Sequence, residues 1–382
     1  MSDFMENAKW IGINTLFVAG ALAMMAPAMA KGGTLHSSAG IGDVKQVKRL
    51  LDRGADIDQK GPYQGTPLHW AISKNHTDMV ELLITQGADV TVKDKEGQSP
   101  LHLAAAGGRK YLVELLIAKG SDINAKNHQG STPLHWASRE GHAAIVARLI
   151  EKGADVDSRN RRGETPLHWA AGAGRLTVIN RLLDHGARIN AVNRRLDTPL
   201  HWAVNQGHRV IAERLMAKGA QVDAKNRNEH TPLHWAARQG RSRVVELLVS
   251  KGAQINAQGR LGDTPLHWAA NEGHRQTVAQ LAEKADINLT DRFGGSPLHW
   301  AANEGHGQVV ALLMDKGSRI EAKNQHGETS LNLAAKEGHA SVVTLIAKEA
   351  QRRILAGEQS NEKLLQLAAV LDGSKGSDIS RH

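Results

Sequence analysis

The chain has no cysteine at all, which rules out disulfide staples, cysteine-ligated zinc and thiol nucleophiles. Aromatic residues are equally scarce outside one type: 3 Phe and 2 Tyr stand against 8 Trp in 382 residues. An enzyme core of this size normally draws on all three aromatics, so the bias points to one tryptophan-containing motif copied many times. Catalytic signatures are missing too. There is no Gly-x-Ser-x-Gly, no phosphate-binding Gly-x-x-x-x-Gly-Lys and no His-Glu-x-x-His. Gly172-Ala173-Gly174 and Gly40-Ile41-Gly42 lack a third glycine, and the carboxylates are scattered with no convergent pair. The sequence therefore predicts a protein that is not an enzyme, with no catalytic residues, no cofactor and no metal site.

What is present is periodic. Leucine-histidine pairs place His36, His69, His102, His135, His168, His201, His234, His267 and His299 at steps of 33 residues, with one step of 32, and Asn332 takes the tenth place. A fixed period of this length means stacked supersecondary units. In one unit, Thr132 is a helix N-cap, Pro133 follows where a missing N–H costs nothing, and Gly141 closes the helix. A second helix over 143–152 carries Ile145, Val146, Leu149 and Ile150 on one side, and Gly153 ends it. Polar residues then run to the next Thr-Pro. Asn75 holds the glycine place in the second unit, where it tolerates a left-handed backbone.

Thr-Pro-Leu-His stands intact from positions 66, 132, 165, 198, 231 and 264, and Ser-Pro-Leu-His from 99 and 296. This pattern resembles the ankyrin repeat over about residues 34–350. The resemblance implies an all-α repeat solenoid of about ten units, each a helix-turn-helix with a projecting β-hairpin finger. Ligands would lie on the face made by fingers and first helices. The domain reading is residues 31–65 as an N-terminal capping repeat, 66–328 as the repeat array, 329–371 as a C-terminal capping repeat with a short helix, and 372–382 as a disordered tail. The second helix of the tenth unit is expected to run on to Leu355, and the 32-residue step to distort the turn before Ala285.

Residues 11–30 carry no charge, follow Lys9 and end in Ala26-Pro27-Ala28 and Ala28-Met29-Ala30. That is the pattern of a signal peptide cleaved after Ala28 or Ala30, which predicts export to the periplasm or beyond. The competing reading is an uncleaved anchor, the one case in which the chain would be tied to a membrane.

Net charge is +9, and the first 30 residues contribute −1 (Lys9 against Asp3 and Glu6), so the remainder carries +10. Four residues before each Thr or Ser of the motif, the row reads Pro62, Lys95, His128, Arg161, Arg194, Arg227, Arg260, Arg292, Gln325. Arg162 and Arg195 stand beside two of the five arginines. Lys60, Lys93, Lys126, Lys225 and Lys323 lie two residues earlier in their fingers. The planar guanidinium fork suits carboxylate or phosphate. On the first helices, Arg139 and Arg238 share a site four residues after the histidine with Asn205, Asn271, Asn303 and Lys336. These nine arginines form the candidate site for a protein partner with an acidic surface, bound by a monomeric scaffold. A solvated consensus turn is the plain alternative. Adhesion to lipid headgroups or acidic polysaccharide, or a role as an immunity protein or host-directed effector, also fits the charge. Export argues against nucleic acid. Repeat-locked histidines are read as structural, since rungs ~10 Å apart cannot share an ion, and the tryptophans as a packed row.

Overall fold

A computed structural model describes residues 33–356, together with residues 365, 366, 368 and 369. The predicted signal peptide, most of the short terminal helix and the tail lie outside the described residues. The chain divides into two compact units: one holds Thr177–Ala187 and what precedes Ala171, the other holds Ala171–Leu176 and everything from Arg188 on. The division runs through the fifth helix pair, Pro166–Gly172 and Leu176–Asp184.

The first unit contains four complete pairs: Leu35–Ile41 with Val44–Asp52, Pro67–Ser73 with Thr77–Thr85, Pro100–Ala106 with Lys110–Ala118, and Pro133–Glu140 with Ala143–Glu151. The second contains five: Pro199–Asn205 with Arg209–Ala217, Pro232–Arg238 with Ser242–Ser250, Pro265–Asn271 with Arg275–Ala282, Pro297–Asn303 with Gly307–Asp315, and Ser330–Lys336 with Ala340–Leu355. In both units each helix packs on its own partner and on its counterparts in neighbouring pairs. The motif leucines Leu68, Leu101, Leu134, Leu233 and Leu298 are wholly buried. Each contributes on the order of 2 kcal/mol by leaving water.

Local chemistry fixes every pair. At Thr66 the N-cap is extended and the backbone N–H donates to Nδ1 of His69 at 3.2 Å, closing a capping box with histidine at the third helical place. An N–H can only donate, so Nδ1 is bare and Nε2 carries the proton. That proton goes to the next finger, at the carbonyl of Gln98, 3.2 Å away. The same forward bond runs from His135 to Glu164 and from His267 to Gly295, both at 3.0 Å. A second row points backward. His76 and His142 bond the carbonyls of Gly40 and Ala106, and His274 that of Arg238, at the end of the preceding first helix. Histidine thus ties repeats such as the second, fourth and eighth to both neighbours, and among the described residues no group of side chains is arranged to hold a metal.

Gly108 shows why the turn between the helices needs glycine. Its φ is +72°, and a Cβ would meet the His142 ring at 2.6 Å. Gly141 is a left-handed cap at φ 90°, and Asn75 takes the same conformation at φ 60°.

The fingers differ from the implied hairpins: no strand forms among the described residues. Each finger is a tight turn closed by backbone bonds such as Asn160 N–H to the Glu164 carbonyl at 3.1 Å and Gly163 N–H to the Asn160 carbonyl at 2.9 Å. Three residues between the closing positions leave no length for a ladder. The 32-residue step shortens the eighth second helix to Arg275–Ala282. Glu283 caps it in the right-handed region, and the Lys284 and Ala285 amides both return to the Leu281 carbonyl. The tenth second helix does run on, covering 16 residues to Leu355.

Candidate partner-binding surface

The fingertip begins with a polar side chain that takes over the turn. Asn160 Oδ1 accepts the backbone N–H groups of Arg162 and Glu164 at 2.9 and 3.0 Å. Asn226 does the same for Asn228 and His230, and Asp291 for Phe293 and Gly295. With the turn amides satisfied inside, the next residue faces solvent. That residue is the arginine. Its own amide donates to the preceding finger, and this stacks the tips. In the second unit Arg227 donates to Arg195, Arg260 to Asn228, Arg292 to Leu261 and Gln325 to Phe293, at 2.7–2.9 Å.

Arg194, Arg227, Arg260 and Arg292 therefore share one edge of the second unit, and all four are exposed, as is Arg195. In the first unit Lys95, His128 and Arg161 are linked by the same bonds, and Arg161 and Arg162 are exposed. Large apolar side chains sit among the second unit's arginines: Leu196, Leu261 and Phe293 are 43%, 51% and 53% exposed. Lys93 Nζ donates to the Lys126 carbonyl at 2.8 Å, and Lys225 pairs with Glu229 at 3.6 Å.

Arg139 and Arg238 stand elsewhere and are held. The Arg139 guanidinium lies 5.7 Å from the Trp136 ring and 6.0 Å from that of Trp169, and Arg139 pairs with Glu140. Arg238 covers Trp268 at 5.2 Å and pairs with Glu272 at 3.5 Å; burial presses its pKa down. Both lie on the first-helix face as cation–π lids and are not part of the fingertip edge.

The tryptophan row is a packed one on its inner side. Trp70 and Trp136 are buried, whereas Trp169, Trp202, Trp235, Trp268 and Trp300 keep one side partly open. Trp136 meets Trp169 edge-on at 5.4 Å, and Trp268 meets Trp300 at 5.7 Å. Three acids escaped sequence reasoning. Glu164 accepts the indole N–H of Trp169 at 2.9 Å, Asp263 that of Trp268 at 2.6 Å, and Asp291 that of Trp300 at 2.8 Å. The available signal was an acid directly before Thr-Pro, as at Glu164, Asp197 and Asp263.

A histidine–carboxylate hydrogen bond joins two successive fingers. His230 Nε2 lies 2.9 Å from Asp263 Oδ2, and its ring stacks on His234 at 5.1 Å. Burial alone would raise the Asp263 pKa, but the His230 and Trp268 bonds outweigh it and hold it at about 2. Burial first, and His230 next, push His234 down to about 3. Elsewhere burial lowers His69, His102 and His135 to about 4. These rings are neutral hydrogen-bond bridges at physiological pH.

The sequence profile of ankyrin repeats (3 copies) matches residues 35–127, 109–193, 192–259, 240–324 and 266–356. The chain belongs to the ankyrin-repeat family, whose members are generally non-catalytic modules that bind other proteins. No curated protein matches it.

Proposed function

We propose that the chain is a non-catalytic binding scaffold, exported to the periplasm or secreted, that grips an acidic protein partner along its fingertip edge. The observation that carries this is the set Arg194, Arg227, Arg260 and Arg292, stacked by backbone bonds and exposed beside Leu196, Leu261 and Phe293. Guanidinium groups interleaved with exposed apolar side chains are the composition of a protein contact surface. Pure charge attraction to lipid or polysaccharide makes no use of the apolar tips. Export is supported by the uncharged stretch 11–30 and its Ala-x-Ala endings.

The test is crosslinking in the native compartment, repeated with Arg194→Glu, Arg227→Glu and Arg260→Glu combined. Loss of the captured protein with an unchanged melting temperature is the expected result. The same captured protein at wild-type yield refutes the fingertip reading. Salt separates the alternative: surface adhesion collapses between about 50 and 200 mM salt, while a packed interface with apolar tips persists.

A further inference from the structure

Two neighbouring repeats treat the ring of the following tryptophan differently, and a cavity lies beside the second ring. In the seventh repeat Arg238 lies over the ring of the next tryptophan, Trp268, at 5.2 Å. One repeat further on, the place of Arg238 is held by Asn271, and the place of Asp263 by Gly295. Asn271 and Gly295 fill less space beside Trp300 than Arg238 and Asp263 fill beside Trp268. The result is a cavity of about 270 Å³ lined by Trp300, Phe293, Leu333, Asp291, Asn271 and Asn303 among others. It is smaller than the ~300–1,000 Å³ of sites for drug-sized ligands, and nearer to one long side chain.

Gly295 is not there for its backbone. It is absent from the glycines with positive φ, so the turn does not demand it. A Cβ at that place would lie 3.0 Å from Asp291 Oδ2 and 3.2 Å from Trp300 Nε1, so glycine holds open the space next to the carboxylate. Asp291 is the charged member of the lining, and its carboxylate is buried and oriented. Oδ1 accepts two backbone N–H groups at 2.8 Å, and Oδ2 accepts the Trp300 indole N–H, which leaves Oδ2 with further acceptor capacity. The cavity thus offers an indole ring, a fixed negative charge and two side-chain amides.

We propose that this cavity receives an arginine or lysine side chain of a partner polypeptide. The partner's cation takes over Trp300 the place that the chain's own Arg238 takes over Trp268. The internal pair is the precedent: the same helix face, the same ring and an acid alongside, Glu272 at 3.5 Å. Attraction between the cation and the ring, strengthened by the buried carboxylate, selects charge over shape. The site stands apart from the fingertip reading, because it asks for a cation where the fingertips ask for anions.

The indole ¹H–¹⁵N signal of Trp300, assigned by its loss in Trp300→Phe, reports occupancy in the full-length protein. Titration with acetyl-Gly-Arg-Gly-amide should shift it saturably. The citrulline analogue, equal in shape and uncharged, should bind at least about tenfold more weakly. Asn271→Arg should fill the cavity from within and abolish the titration, and Gly295→Ala should weaken it. Equal shifts from the arginine and citrulline peptides, or an unchanged titration in Asn271→Arg, overturn the proposal. So does tighter binding of acetyl-Gly-Leu-Gly-amide.

Discussion

Glu164 and Ser131 occupy the same place in successive repeats, directly before the capping threonine, and the difference decides whether two buried donors are satisfied. Glu164 Oε2 accepts from Asn160 Nδ2 at 2.8 Å and from Trp169 Nε1 at 2.9 Å. Next to Ser131, Asn127 Nδ2 and Trp136 Nε1 are buried with no partner. An unmet buried donor costs about 1–3 kcal/mol. Glu164→Ala should therefore destabilise by roughly 2–4 kcal/mol, and Ser131→Glu should raise the urea midpoint. Denaturant melts of both variants check this; a neutral Glu164→Ala removes the account of the indole row. A second cost sits at the fingertips. Leu196 and Glu229 hold the left-handed turn position, at φ 61° and 60°, where neighbouring fingers have glycine. Leu196→Gly should stabilise by about 1 kcal/mol, read as a higher melting temperature, while removing one apolar tip.

Helix pairs were legible from the 33-residue spacing because each boundary is written in one or two residues. Thr-Pro begins the first helix, glycine or asparagine ends it, and the apolar spacing of Ile145, Val146 and Leu149 marks the buried side of the second. Finger geometry was less legible. A turn stapled by Asn160 and one stacked backbone bond leave no alternating pattern, so strand pairing could be neither read nor excluded from sequence. The fingertip arginines were found by counting, whereas the fates of Arg139 and Arg238 depend on which ring lies in the adjacent repeat. The cavity beside Trp300 was invisible for the same reason: Gly295 and Asn271 are 24 residues apart and meet only through packing. The last helix carries its own closing device. Arg353 donates to the Ser318 and Met314 carbonyls, both at 3.1 Å, and pairs with Glu349 at 2.8 Å. Met314 stands in the last turn of the preceding second helix and Ser318 just beyond it, so the guanidinium adds a cation and two donors at that helix C-terminus. Arg353→Leu should speed amide exchange across 314–318 with little effect on repeats six and seven; uniform exchange changes would contradict a local role.

At the scale of the whole molecule the histidines set the response to acid. His69, His102 and His135 bridge repeats as neutral rings, with folded pKa values near 4 against 6.5 for a free imidazole. Their contribution is complete above about pH 6.5 and is lost as pH falls toward 4, because the unfolded chain binds the extra protons. Asp94 runs the other way: burial raises it to about 6, so it favours the folded state below that value. Asp58 is raised by burial as well, but two carboxylates oppose many imidazoles, so the urea midpoint should drop from pH 7.5 to pH 5. A flat profile over that interval would mean the rings are not uncharged bridges. Among the described residues no helix is long and apolar enough to cross a membrane.

A row of like rungs has a weakness as a recognition device: a ligand held only by the rungs finds several equivalent seats and can slide among them. The gap where Gly295 and Asn271 coincide exists at one rung and is not repeated at the next. It gives the second unit an origin from which position can be counted, so that a bound segment is fixed lengthwise as well as held.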